Sequence, residues 1–270
     1  MKQRLDRLVV ERGLFASRKQ AQGAIMAGNV YVDGRRVDKP GAPVAATARV
    51  EVRGDLCPYV SRGGLKLARA LEVFGVDPHG AVALDVGAST GGFTDCLLQH
   101  GAKRVYAVDV GYGQLDWRLR QDPRVVVMER TNARYLQPGD LPEPVDIAVI
   151  DVSFISLEKV LPAVAPIIRP GGTLVALVKP QFEAGPEQVG KGGVVRDPAV
   201  HRAVLVRVAD AMPHSGLRPL AMTHSPIKGP RGNIEYFILA RRDWAALDGA
   251  GWERRAREAV QAAWAALSPR

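Results

Sequence analysis

Four side chains stand out for the chemistry their types permit: Lys66, Asp151, Lys179 and Glu235. Lys66 lies in Ser61-Arg62-Gly63-Gly64-Leu65-Lys66-Leu67, where a helix is expected to begin. Asp151 follows the apolar run 145–150, Lys179 follows 173–178, and Glu235 leads into 236–240. Amines and carboxylates brought together can hold one another as ion pairs and can pass a proton to or from a bound hydroxyl. Each alone would read as a surface charge. All four fall at element ends that one sheet topology can gather on a single rim, which makes them a candidate constellation.

A second constellation follows the apolar run 81–86. The segment Asp85-Val86-Gly87-Ala88-Ser89-Thr90-Gly91-Gly92-Phe93-Thr94-Asp95 reads as a Gly-rich turn opening a helix, a place where a ligand can approach the backbone. A dinucleotide fingerprint would put glycines at 87, 89 and 92, but position 89 is Ser. No Gly-Lys-Ser/Thr phosphate loop is present. Asp109 closes the second run at a spacing suited to ribose hydroxyls. Asn132, in Glu129-Arg130-Thr131-Asn132 after the third run, stands where an adenine-side contact is expected. A tight structural turn and a loop-capping Asp remain alternatives for the turn and for Asp109. Together, a Gly-rich turn and a distal acid without a pyrophosphate fingerprint point to S-adenosylmethionine, a nucleoside cofactor that carries no phosphate. The expected cofactor contacts are Asp85, Gly87, Ala88, Ser89, Thr90, Gly91, Gly92, Phe93, Asp109 and Asn132.

The elements that must position these residues are legible as alternating apolar runs and helical stretches. Runs at 81–86, 104–110, 124–128, 145–150 and 173–178 are continuous rather than alternating, as strands buried on both faces are. Runs at 220–222 and 236–240 are separated mainly by a polar loop and read as an antiparallel closing hairpin. The expected fold is α/β, a mainly parallel sheet under helices. From Trp252 onward, Trp252, Ala256, Val260, Trp264 and Leu267 share one helical face, which is expected to dock on the body.

The 270 residues carry a net charge of +9, and the charge is uneven. Residues 1–69 hold 14 Lys and Arg against 6 Asp and Glu, a balance of +8. A polyanion such as RNA would be drawn there. Leu5, Leu8 and Val9 recur at helical spacing and Gly13 stops that helix. Ser17 caps a second helical stretch that closes at Gly28, and Asp33-Gly34 between short β-prone runs signals a hairpin. This helix–helix–hairpin module carries Arg4, Arg7, Arg18, Lys19, Arg35 and Arg36. The stretch 53–60 is broken by Gly, Asp and Pro and reads as a linker.

The module's Arg-Leu-Asp-Arg-Leu-Val-Val-Glu-Arg-Gly, Ser-Arg-Lys-Gln-Ala and Gly-Asn-Val-Tyr-Val-Asp-Gly resemble the small RNA-binding domain named after small-subunit ribosomal protein four. Downstream, Lys66, Asp151, Lys179 and Glu235 match the Lys-Asp-Lys-Glu tetrad of the FtsJ-type ribose methyltransferases. With Ser-Arg-Gly-Gly-Leu-Lys-Leu, Asp-Val-Ser-Phe-Ile-Ser-Leu and Lys-Pro-Gln-Phe-Glu, the whole resembles the TlyA family over about residues 3–241. The resemblance implies a small α+β RNA-binding domain (1–53), a linker (54–60), a Rossmann-like methyltransferase domain (61–242) and a C-terminal helical extension (243–270). It implies a cytoplasmic enzyme that uses S-adenosylmethionine to methylate the 2′-oxygen of cytidines in small- or large-subunit ribosomal RNA. Its partners would be ribosomal RNA or ribosomal subunits.

Within that reading Lys179 is the candidate base, Lys66 orients the hydroxyl, and Asp151 and Glu235 hold the two ammonium groups. A free lysine titrates near about 10.4, so burial and a neighbouring cation would have to offset two neighbouring carboxylates. Arg62, Lys191 (in the basic Gly190–Gly193 turn, a candidate lid), Lys228 and Arg231 are further candidates for RNA phosphates. Two alternatives are a ribosome-binding or assembly factor without activity and, with less in its favour, a membrane-acting haemolysin. Amino-group methylation is disfavoured because Asp151-Val152-Ser153-Phe154 replaces the usual Asn/Asp-Pro-Pro-Tyr/Phe. Methylation at cytosine carbon 5 needs a thiolate at the rim, whereas Cys57 falls in the linker and Cys96 inside a helix. No cysteine or histidine spacing suggests a metal, and no apolar run reaches the roughly 18–20 residues a spanning helix needs.

Overall fold

Strand β1 (Lys2–Arg4) runs straight into helix α1 (Leu5–Glu11), whose Leu5, Leu8 and Val9 are buried at the helical spacing. The computed structural model describes residues 2–15, 17–26, 28–53, 57–242 and 251–267; the Lys19 and Pro230 side chains lie outside the described set. The chain divides into two compact units, Met1–Pro58 and Tyr59–Arg270.

In the first unit, Ser17 Oγ accepts the Gln20 N–H at 3.2 Å and so caps α2 (Arg18–Met26). Gly28, at φ 78°, ends it. Strands β2 (Val30–Val32) and β3 (Arg35–Arg36) form the hairpin expected of Asp33-Gly34, both of which adopt positive φ. Strand β4 (Pro43–Ala45) pairs with β1, and β5 (Val50–Val52) pairs with β2. Leu5, Leu8, Val9, Phe15, Ala21, Ile25, Val30 and Val44 make the core. Asp6 is buried among them and accepts hydrogen bonds from Arg4, Arg18 and Gln22.

The second unit begins with α3 (Gly63–Phe74), then alternates β6 (Val82–Val86), α4 (Gly92–Gln99), β7 (Arg104–Val108), α5 (Trp117–Gln121), β8 (Val125–Met128) and β9 (Val145–Ile150). The short α6 (Leu161–Val164) leads to β10 (Ile168–Val178), followed by the one-turn α7 (Pro180–Glu183), α8 (Pro198–Ala211), β11 (Leu217–His224), β12 (Tyr236–Arg242) and α9 (Trp252–Leu267). Seven strands form one sheet in the order β11-β12-β10-β9-β6-β7-β8. The strands from β6 through β10 are parallel, and β12 runs antiparallel between β10 and β11.

Alternate residues of each strand serve opposite cores. Leu84, Val86, Ala148, Ile150 and Tyr236 face one, with α8 and α9; Ala83, Val149, Leu177 and Phe237 face the other, with α3 and α4. Strand β10 is longer than the apolar run 173–178, because a register shift between Ile168 and Thr173 takes up Pro170-Gly171-Gly172. Helix α9 buries Ala256, Ala259, Val260 and Ala263 against the body, so its apolar face is spent on internal packing. Residues 243–250 of the expected C-terminal extension, and 54–56 of the expected linker, lie outside the described residues. No helix among the described residues is long and apolar enough to cross a membrane.

Candidate active site

The chain turns sharply after β6 because of what lies beside it. A Cβ on Gly87 would sit 2.5 Å from the Asp151 carbonyl oxygen, so only glycine lets β6 and β9 end this close together. Gly87 and Gly91 take positive φ, and Ser89 does too at φ 49°, a conformation that carries strain in a non-glycine residue. Asp109, at the end of β7, pins this turn. Its Oδ2 accepts the Ser89 N–H at 2.8 Å and its Oδ1 accepts the Gly111 N–H at 2.7 Å. A carboxylate offers about four acceptor positions, so these bonds leave room for ligand hydroxyls. Asn132 likewise caps the turn Ala133–Tyr135 by accepting the Arg134 N–H at 3.1 Å.

Two adjoining cavities open over this rim. One, of about 360 Å³, is lined by Lys66, Gly87, Ala88, Thr90, Phe93 and Asp151 among others. The other, of about 510 Å³, is lined by Asp109, Thr131, Asn132, Ser153 and Phe154 among others. Gly87, Ser89 and Asp151 belong to both, so they form one cleft across the carboxyl ends of β6, β7 and β9. Gly91 lines neither cavity and sits below the floor, where a Cβ would strike Leu115 and Leu119; Gly92 does line the first cavity, and a Cβ on it would strike Ser61.

Strand register brings the ionisable residues together. Val178 of β10 pairs with Tyr236 of β12, so the residue leaving one strand, Lys179, and the residue entering the other, Glu235, emerge on the same edge. Lys179 Nζ lies 2.5 Å from Asp151 Oδ1 and donates to Ser153 Oγ at 2.9 Å. Lys66 Nζ, from the first turn of α3, lies 2.6 Å from Glu235 Oε2. Gln181 Nε2 donates to the other Glu235 oxygen at 3.4 Å, and Gly229 leaves the space that this carboxylate fills. The four side chains are 9% (Lys179), 21% (Asp151), 10% (Lys66) and 0% (Glu235) exposed. Two ion pairs therefore stand largely out of solvent, each offering one amine.

Asp85 is wholly buried beneath the Gly-rich turn, where it accepts the Thr94 hydroxyl at 2.6 Å. Its Oδ1 has no hydrogen-bond partner among the described residues. Burial, against the Thr94 hydrogen bond and helped by the Asp151 charge, pushes its carboxyl up to about 7. Because the folded state binds this proton more tightly, the contribution to stability is complete below about pH 4 and is lost as pH rises through about 7. Asp85→Asn, which keeps an acceptor for Thr94, is therefore expected to match the parent near pH 4. By pH 8 it should be more stable by on the order of a few kcal/mol. Urea unfolding at the two pH values checks this; a variant less stable than the parent at pH 8 refutes it.

Cys96 is buried in α4, and burial pushes its thiol up to about 12, which removes it as a rim nucleophile. Among the described residues no group of His, Cys, Asp and Glu is arranged to hold a metal. Phe154 went unread in the sequence. It has φ 63° and is 91% exposed at the cleft mouth, with its ring 4.8 Å from that of Phe182. Its only sequence signal was an aromatic three residues after Asp151.

The candidate RNA contacts divide. Arg7, Arg35 and Arg36 of the first unit are exposed, whereas Arg4 and Arg18 are committed to buried Asp6. In the second unit Arg62 and Lys228 line the cleft, and Arg62 donates to the Lys228 carbonyl at 3.2 Å. Lys191 is exposed on a turn tied down by Arg231 to the Gly192 carbonyl and by Asn233 to the Gly193 carbonyl.

A family model described as FtsJ-like methyltransferase matches residues 59–242, and one described as S4 domain matches residues 3–50. The chain is 53% identical over 238 residues to YqxC of Bacillus subtilis, a candidate rRNA methyltransferase, covering 88% of this chain and 85% of that one. It is 47% identical over 259 residues to the 16S/23S rRNA (cytidine-2′-O)-methyltransferase TlyA of Mycobacterium tuberculosis, covering 95% and 97%. A solved structure of a candidate hemolysin from Streptococcus thermophilus superimposes with a TM-score of 0.78 at 46% identity, covering 97% of this chain and 95% of that one.

Proposed function

This chain belongs to the family of FtsJ-like methyltransferases, with an S4 domain ahead of the methyltransferase domain, and from that premise we propose that it methylates the ribose 2′-oxygen of a cytidine in ribosomal RNA. The observation that carries the reading is the pair of buried Lys–carboxylate contacts, Lys66–Glu235 and Lys179–Asp151, on the wall of the cleft formed by the Gly-rich turn.

S-adenosylmethionine, when bound, supplies an electrophilic methyl group on a sulfonium. The residues present suit such a ligand. Gly87 has no side chain where the backbone must be approached, Asp109 keeps acceptor positions for ribose hydroxyls, and Asn132 and Thr131 line the far end of the cleft. The unpartnered oxygen of Asp85 lies beneath the turn, where a cationic ligand would draw that carboxyl toward its charged form.

The chain's own task is positioning and proton removal. Lys179 Nζ accepts the 2′-hydroxyl proton as the oxygen acquires its methyl. Asp151 stabilises the positive charge that Lys179 then bears, and Ser153 fixes the direction of its lone pair. The Lys66 ammonium, held by Glu235, donates to the same oxygen while negative charge builds on it. The exposed face of Phe154 offers the target base a surface to stack on once it leaves its own stack. A cytoplasmic location agrees with the proposed rRNA substrate.

The test offers each purified ribosomal subunit, with a radiolabelled methyl donor, to the full-length protein and then digests the RNA to nucleosides. Label in 2′-O-methylcytidine is the expected result. Label on a base overturns the ribose assignment, and RNA binding without transfer to either subunit favours the assembly-factor reading instead.

A further inference from the structure

Tyr112, Trp117, Tyr135 and Phe154 are strongly exposed, at 69%, 70%, 69% and 91%. Among the described residues of the second unit these are the large aromatics most open to solvent, and all four follow the carboxyl ends of β7, β8 or β9. Phe154 is accounted for by the cleft. The others lie farther out. Val110 and Gln114 line the cofactor side of the cleft, while Tyr112 and Trp117 do not.

The loop that carries them is well anchored. Leu115 and Leu119 are buried against Gly91, and the Asp116 N–H donates to the Thr90 carbonyl at 3.2 Å. With its inner side fixed to the Gly-rich turn, this loop and the first turn of α5 still turn Tyr112 and Trp117 outward. Exposed aromatics held on an anchored segment are available as a contact surface, apolar on their faces and polar at their tips.

The arginines of the same region separate into two sets. Arg118 pairs with Asp116, Arg120 with Glu129, and Arg124 with Asp122. Arg130 and Arg134 have no carboxylate partner among the described residues. Their guanidiniums lie instead 4.2 Å from the Tyr112 ring centre and 5.7 Å from that of Tyr135. Arg130 holds its place at φ 55°, and its N–H donates to the Gly111 carbonyl at 3.0 Å. Strained backbone at a non-glycine residue persists only where its surroundings impose it, and it gathers at functional positions. Unpaired cations laid on exposed aromatic faces complement a chain that alternates flat bases with phosphates.

We infer that Tyr112, Trp117 and Arg130 form a docking rim for a single-stranded segment of the substrate RNA, beside the cleft and on the methyltransferase unit itself. The aromatic faces take unpaired bases and Arg130 takes a phosphate. This rests on the proposed RNA substrate and adds a contact site that the S4 match at residues 3–50 does not cover.

The test uses the full-length protein, a fluorescein-labelled 12-nucleotide single-stranded RNA of mixed sequence, and S-adenosylhomocysteine as the cofactor probe. Tyr112→Ala and Trp117→Ala should each weaken RNA binding by about five- to a hundredfold, the range for loss of one base–aromatic stack. Trp117→Phe should recover most of it. Arg130→Gln should lower the slope of log affinity against log salt by about one. S-adenosylhomocysteine affinity, read by calorimetry, should stay within twofold of the parent in all of them. RNA affinities within twofold of the parent for both alanine variants overturn the inference, as does a loss confined to S-adenosylhomocysteine. Weakened binding to ribosomal subunits with unchanged binding to the RNA also overturns it, since the rim would then meet a protein. Methyl transfer is measured on the same preparations. A parent that binds RNA through the rim without transferring a methyl upholds this inference and sinks the proposed activity.

Discussion

Lys179→Met abolishes methyl transfer: turnover falls by about a hundred- to ten-thousandfold, the usual worth of a positioned proton acceptor. S-adenosylhomocysteine affinity stays within about threefold of the parent, because Lys179 contacts Asp151, Ser153 and the Phe182 ring and neither Asp109 nor Asn132. Methionine keeps most of the side chain's volume, so the loss reports the amine rather than a hole. Lys179→Arg gives no rescue, since a guanidinium stays protonated and cannot take the hydroxyl's proton. Single-turnover methylation of the substrate subunit reads the chemical step apart from product release. Lys66→Met should also be impaired, but through loss of charge stabilisation, and a guanidinium can supply that charge. Lys66→Arg therefore recovers part of the activity where Lys179→Arg recovers none. If Lys179→Met keeps a tenth or more of parental turnover, or if arginine rescues it, the base is elsewhere.

The two amines differ in how firmly they are held, and the difference follows from the fold. Glu235 is fully buried, touched by Lys66 and Gln181 and enclosed where Gly229 lacks a side chain. Removing either member of that pair leaves the other without its partner in a low-dielectric place, so Lys66 is fixed in position. Asp151 is 21% exposed and faces both cavities, so the Lys179 pair opens toward the substrate side. The amines themselves are equally covered, at 10% for Lys66 and 9% for Lys179, so the asymmetry lies in their carboxylates, one sealed in the interior and one open to the cleft.

The parts of this site that sequence could show are those written at the ends of apolar runs. Each continuous run of a buried parallel strand stops where it meets the ligand rim, so Gly87, Asp109, Asp151 and Lys179 announced themselves by position. Who pairs with whom was not visible. Lys66 and Glu235 are 169 residues apart, and only the antiparallel insertion of β12 between β10 and β11 sets Glu235 on the rim. Charged residues also read by default as exposed, which is why Arg4 and Arg18 looked like free phosphate contacts when both are engaged by a buried carboxylate. Asp109 and Asn132 showed the opposite ambiguity. Both cap backbone turns, as the structural reading of Asp109 allowed, and both line the cleft, as the ligand reading required. Positive φ at Phe154 and Arg130 leaves no trace in the sequence, since neither residue type signals it.

The carboxylate that claims Arg4 and Arg18 supports the second large effect, which falls on stability rather than chemistry. Asp6 has no exposed surface, and it accepts from Arg4 at 3.0 Å through two nitrogens, from Arg18 at 2.9 Å and from Gln22 at 2.8 Å. It thereby ties the start of α1 to α2. Hydrogen bonds from Arg4, then from Gln22 and Arg18, hold its carboxyl far below the usual range despite burial. A depressed pKa gives stability that is present above about pH 4 and drains away as pH falls below it. Asp6→Ala leaves four donor nitrogens on three side chains without their acceptor and costs about 2–4 kcal/mol, toward the lower end for broken buried pairs because both guanidiniums are about half in solvent. A unit this small has only about 3–8 kcal/mol to lose, so Met1–Pro58 would give up about half of its margin and unfold at a much lower urea concentration than the parent. Urea unfolding followed by amide exchange should then show protection reduced by about thirty- to a thousandfold in α1 and α2 and kept across β6 to β10. RNA affinity should fall with it, while S-adenosylhomocysteine still binds. Parental exchange protection in α1 and α2 of the variant would show that Asp6 only decorates this fold rather than joining its two helices.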